Sequence, residues 1–101
     1  MTYTSNKLLR KVNKPILPNS TYNGFSIDVS EIQNQGLIIL TYVGNSSENY
    51  LFLGLLSKDS GEEPVLQNIG NKNTTASITG NTITFVCNGV IYYGDCNILY
   101  D

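Results

Sequence analysis

The chain contains no histidine and no tryptophan. Without histidine it lacks the commonest general base, the Ser-His and Cys-His dyads, and the commonest metal ligand. Its two cysteines, Cys87 and Cys96, are too few for a disulfide framework and do not supply the four closely spaced ligands of a zinc site. Charge is scarce as well. Charged residues make up 14% of the chain, against the usual quarter, and six basic residues nearly balance eight acidic ones for a net charge of -2. No apolar run approaches the length of a membrane-spanning helix, and the opening "MTYTSNKLLRKVNK" lacks the apolar segment of a signal peptide. The stretch "GNKNTTASITG" has neither the spacing of a phosphate-cradling loop nor its Lys-Ser/Thr pair. Glu62 and Glu63 are adjacent, so in an extended chain they point to opposite sides and do not form an acid/base pair. These absences argue against an enzyme, a metal site or a cofactor, and against insertion into a membrane.

What is present is β-forming. One hundred and one residues make one small domain that buries roughly two thirds of its unfolded surface, and a 41% hydrophobic fraction is enough for a core. "TYNGFSIDVS" alternates Phe25, Ile27 and Val29 against Ser26, Asp28 and Ser30, the period of a half-buried strand. "EIQNQG" reads as a polar turn. "LIILTYV" is nearly continuously apolar, as in a strand covered on both faces. The polar loop 44–49 joins it to "YLFLGLL", where Gly54 marks a bulge or a close approach. "SKDSGEEPV" is a loop, "VLQNIGNKNTTASIT" supplies one or two short strands, and "GNTITFVC" alternates again with Ile83, Phe85 and Cys87 on one face. Asn88-Gly89 is a hairpin signal, and "VIYYGD" and "CNILYD" follow, with Gly94-Asp95 as a turn or bulge. Six to eight short strands with turns between them and almost no helix predict an all-β fold, an antiparallel β-sandwich or jelly roll.

The N-terminal residues differ from this body. Lys7, Arg10, Lys11 and Lys14 are four of the six basic residues, and no acidic residue precedes Asp28. From Pro15 onward only Lys58 and Lys72 face all eight acids. Leu8, Leu9 and Val12 fall on one side of any helical turns in "NKLLRKVNK", and Pro15 and Pro18 end such a helix and hold "PILP" extended. Residues 1–18 are therefore expected to form a basic, extended or partly helical arm, and residues 19–101 the sandwich. The arm residues Lys7, Leu8, Leu9, Arg10, Lys11, Val12 and Lys14 suit docking onto an acidic surface. Nucleic acid is not the expected partner, because four cations make a small footprint and an acidic body repels phosphate.

Two features of the body bear on partners. Residues 37–43 and 50–56 carry more apolar strand surface than one small sandwich core needs, which makes Leu37, Ile39, Tyr42, Leu51, Leu53 and Leu55 candidates for a core shared between copies. Six of the seven tyrosines lie in the body. Tyrosine suits strand positions on its own account, and Tyr92 and Tyr93 are also candidates for surface recognition.

The order "LPNSTYNGFSIDVSEI", "GLIILTYVG", "ITGNTITFVCNG" and a closing "NILYD" resembles the small jelly-roll knobs at the ends of bacteriophage fibre proteins, over about residues 16–101. The resemblance implies a homotrimer and a structural role in a virion, assembled in the host cytoplasm. The short arm reaches at most roughly 60 Å and cannot build a shaft. A short capsid head fibre or decoration knob is thus expected, anchored to a capsid or other virion protein through the arm and adhering to host-surface glycan or other surfaces. Two other expectations stand beside it: a small acidic inhibitor or immunity-type protein that is monomeric, and a receptor-binding tip or carbohydrate-binding module that uses the tyrosines.

Overall fold

The computed structural model describes residues 10–16, 25–44, 49–58, 63–87 and 91–101, with the backbone alone for residues 15, 16, 44, 49, 87 and 91–93. Eight strands follow in order: β1 (Arg10–Ile16), β2 (Phe25–Asp28), β3 (Gln35–Gly44), β4 (Asn49–Ser57), β5 (Val65–Lys72), β6 (Thr74–Thr79), β7 (Thr82–Cys87) and β8 (Ile91–Tyr100). Every pairing is antiparallel. A five-stranded sheet runs β1-β8-β3-β4-β5 and a three-stranded sheet runs β2-β7-β6. The expected all-β antiparallel sandwich is what forms.

Of the four nested pairs of a jelly roll, the topology keeps β4 with β5 and, outside them, β1 with β8 in one sheet and β2 with β7 in the other. The pair β3 with β6 is replaced: β3 pairs with β4 and β8, and β6 with β7. Three expectations are corrected here. Arg10–Ile16, expected in the arm, is an edge strand of the large sheet, so the sandwich begins before residue 19. The alternation that matters is Val12 inward against Lys11 and Asn13 outward, and proline is tolerated because an edge strand need not donate on its free side. Asn88-Gly89 lies outside the described residues, but the strands flanking it, β7 and β8, belong to different sheets and do not form a hairpin. Gly94-Asp95 does not turn the chain; β8 runs straight through it, and the register shift falls opposite Val43 and Gly44.

The core lies between the sheets. Ile38, Leu40, Tyr42, Tyr50, Phe52, Leu56, Cys96 and Ile98 come from the large sheet, and Ile27, Ile83 and Phe85 from the small one. Val29, the last apolar position of the alternating stretch, and Ile32, in the segment read as a polar turn, are fully buried and close one end. A chain of aromatic contacts crosses the interior. Tyr50 stacks on Tyr42 at 4.7 Å, Tyr42 meets Phe25 edge-on at 6.3 Å, Phe25 stacks on Phe85 at 5.1 Å, and Phe85 meets Phe52 edge-on at 5.5 Å. Such pairs add to burial because ring edges and faces carry opposite partial charge.

Turn chemistry fixes the corners. Asn73, with φ of 55°, is the single residue between β5 and β6 where the chain changes sheets. Asparagine is among the few side chains that enter this left-handed region readily. Gly80, with φ of 58°, opens the two-residue turn between the paired Thr79 and Thr82. A positive φ at the first turn position is what a type II′ hairpin requires.

Candidate interaction surface

The register of the large sheet arranges its outward side chains in rows. One row reads Lys11, Leu99, Leu37, Leu55, Gln67 from β1 to β5. The next reads Asn13, Asn97, Ile39, Leu53, Gly70. The third holds Asp95, Thr41, Leu51 and Lys72. The middle of this face is therefore leucine and isoleucine. Leu51 is 39% exposed and Leu55 37%, while Leu37, Ile39, Leu53 and Leu99 are half-buried. Val65 and Ile69 are exposed on the neighbouring edge strand. The rim is polar: Asn13 donates through Nδ2 to Asn97 Oδ1 at 3.0 Å and to Asp95 Oδ1 at 3.4 Å.

The outward face of the small sheet is different. Its rows read Ser26, Thr84, Ser77 and then Asp28, Thr82, Thr79, with Val86 beside Thr75. Hydroxyls dominate, and Ser26 and Thr84 hydrogen-bond at 3.1 Å. One sandwich thus carries one hydroxyl face and one leucine face.

Of the six residues expected in a core shared between copies, Leu37, Ile39, Leu51, Leu53 and Leu55 lie together on the leucine face. Tyr42 does not. It alternates to the opposite side, is buried in the chain's own core, and hydrogen-bonds Thr74 at 2.6 Å. The strand read as covered on both faces is covered on one. The backbone of Tyr92 and Tyr93 lies in β8, and their side chains are outside the described residues. Lys7, Leu8 and Leu9 are also outside them. Arg10 and Lys11 are exposed on β1, whereas Val12 packs on the core and Lys14 sits 3.0 Å from Glu31. Buried Glu31 Oε1 has that ammonium as its partner. Sequence reasoning missed Leu99, Asp95 and Lys72, although period two along "DCNILY" places Asp95, Asn97 and Leu99 on one side.

An open depression of about 360 Å³ adjoins the third row, lined by Thr41, Tyr42, Val43, Tyr50, Leu51, Gly94 and Asp95. A second polar cluster closes the other end of the sandwich. Lys58, from a segment read as loop, donates to the Val29 carbonyl at 2.6 Å and to Asn81 Oδ1 at 2.7 Å. Partial burial lowers its pKa, opposed by the nearby charges of Glu31 and Asp28. Asp28 accepts from the Ser30 amide at 2.7 Å, which pulls its pKa down. Cys96 is a free thiol, and burial pushes its pKa up to about 12, so it behaves as a small apolar core residue. Among the described residues no group of three His, Cys, Asp or Glu side chains is placed to hold a metal, and no helix is long and apolar enough to cross a membrane.

No protein-family model matches the chain, and no curated protein matches it. Among solved structures it is similar to the tailspike protein of Acinetobacter phage vB_ApiP_P1, with a TM-score of 0.52 and 11% sequence identity. The likeness covers 100% of this chain and 23% of that one. At this identity the likeness bears on the fold: the whole chain corresponds in architecture to one segment of a much longer protein.

Proposed function

We propose that this protein is a non-catalytic structural component of a bacteriophage virion, a trimeric β-sandwich knob of the head-fibre or decoration type, held to a capsid or other virion protein through its N-terminal segment. The observation that carries this reading is the full-length likeness to a segment of a phage tailspike protein. The leucine face supports the homotrimer, because a sandwich that has filled its own core still leaves Leu51 and Leu55 wet. The attachment segment is narrower than the basic stretch suggests. Val12 and Lys14 serve the sandwich, which leaves Lys7, Leu8 and Leu9 as the anchor, with Arg10 and Lys11 beside it. Adhesion to host-surface glycan through Tyr92 and Tyr93 belongs to the same reading.

The neighbour's being a tailspike favours a second reading, a receptor-binding tip on the tail. Immunogold labelling of purified phage particles with an antibody to the chain tests both. Gold over the capsid is the expected result, and gold confined to the tail supports the second reading. Particles that carry no label, with the chain confirmed in the infected cell, overturn both.

A further inference from the structure

The outward face of the small sheet is mostly hydroxyl, with Ser26, Thr75, Ser77, Thr79, Thr82 and Thr84 beside Asp28 and a single exposed aliphatic side chain, Val86. The leucine face, built from the same number of outward rows, has another composition and so another destination. Its charges indicate what covers it. In the third row Asp95 lies on β8 and Lys72 on β5, at opposite ends and with Thr41 and Leu51 between them. They are three strand spacings apart, roughly 14 Å, beyond reach of a direct contact with each other. Both are exposed. Lys11 adds a second cation at the β1 edge of the first row, but within the third row one charge of each sign flanks an apolar centre, so that row is complementary to its own rotated image. A partner of a single sign satisfies only one end.

The geometry points to a specific contact between copies of this chain: the leucine faces pack around Leu37, Ile39 and Leu53, with Asp95 of each copy against Lys72 of the next. This rests on the trimer proposed above and names its contact. If the strands run along the threefold axis, rotation keeps each row at its own height and brings the β8 side of one copy to the β5 side of its neighbour. The third row then meets the third row, and acid meets base three times round the ring. The depression beside Asp95 gives the incoming Lys72 a place to enter. Asn13, Asn97 and Lys11 form the wet rim beyond.

The test is mass in solution by light scattering, on the full chain and on variants whose fold is confirmed by circular dichroism. The full chain is expected at three times the chain mass. Leu53→Glu buries a charge in the contact and is expected at one chain mass. Asp95→Lys sets like charges against each other and should raise the dissociation constant at least tenfold. Adding Lys72→Asp to that variant reverses the pair and should restore it. If the wild type is trimeric and all three variants stay trimeric at every concentration, this contact is wrong while the trimer stands. A wild type that stays at one chain mass at high concentration overturns both. Should Leu53→Glu fail to fold, the exposed charge pair still decides: Asp95→Lys without effect, or without rescue by Lys72→Asp, refutes the pairing.

Discussion

The hydroxyls of Tyr42 and Thr74 meet at 2.6 Å inside the sandwich and tie β3 of the large sheet to the first residue of β6 in the small one. Thr74 has one proton to give, and it goes to the Lys72 carbonyl at 3.1 Å. Tyr42 is therefore the donor and Thr74 the acceptor. Tyr42→Phe keeps the stacking on Tyr50 and loses one neutral hydrogen bond, a cost of about 1 kcal/mol. Thr74→Val loses the bonds to both Tyr42 and the Lys72 carbonyl at the Asn73 corner, and is expected to cost about 2 kcal/mol. Urea unfolding checks this order: both midpoints fall, Thr74→Val further, with the slope unchanged.

Gly54 is a point of close approach. A Cβ there would lie 2.6 Å from Cε1 of Phe52 and 3.1 Å from the Gln67 carbonyl. The Phe52 ring cannot swing aside cheaply, since it is buried and packed on Phe85. Gly54→Ala should lower stability by about 1–3 kcal/mol. Combining it with Phe52→Leu should cost less than the two changes summed. Full additivity in unfolding experiments would show that the ring does not set the constraint.

Burial of Cys96 makes stability fall in alkali. Its thiol ionises near 9.0 when unfolded and only near about 12 in the sandwich. Between those values the folded state holds a proton that the unfolded state has released, so stability drops as pH rises, by at most about 4 kcal/mol over the full window. Below pH 9 this contribution is flat. The quantity to follow is the difference between wild type and Cys96→Ala, from which the contributions of all other groups cancel. The variant should be less stable at pH 7 and lose less on going from pH 8.5 to 10.5. Parallel pH profiles would contradict the assignment.

Truncation separates attachment from folding. Removing residues 1–9 spares β1 and should leave the unfolding free energy within about 0.5 kcal/mol of the full chain, while, on the proposed function, abolishing incorporation into particles. Removing residues 1–14 also takes Val12 off the core, breaks the Lys14–Glu31 pair and bares β8 as a new edge. That protein should be destabilised by about 2 kcal/mol or more and be prone to aggregate. Equal stability of the two truncated chains, measured by thermal melting, would contradict the role given to β1.

What could be read from the sequence follows from how local each signal is. The alternation in Phe25–Asp28 and the hairpin of β3 with β4 are local, and both appear as expected. The two roles offered for Gly54 are both met, since the register of β4 on β5 shifts there and Phe52 crowds it. The leucine face was legible as surplus apolar strand, and period two then divides it from Tyr42. The long-range pairings were not legible. Nothing in "RKVNKPI" says that it pairs with residues 78 to 90 positions away, and a basic stretch with proline looks the same as a tail or as a guarded edge strand. Ile32 and Lys58 were hidden for the same reason: one buried side chain in a polar segment, and one ammonium capping carbonyls supplied from elsewhere.

Strand β8 sits between β1 and β3, so residues near the end of this sequence fill a gap among residues near its beginning. The large sheet stays split until residues 91–100 have been synthesised. Folding then requires closing the widest loops in the molecule, a slow route that rewards no partial product. On the ribosome, a prematurely terminated copy would expose both unzipped flanks and go to degradation or aggregation.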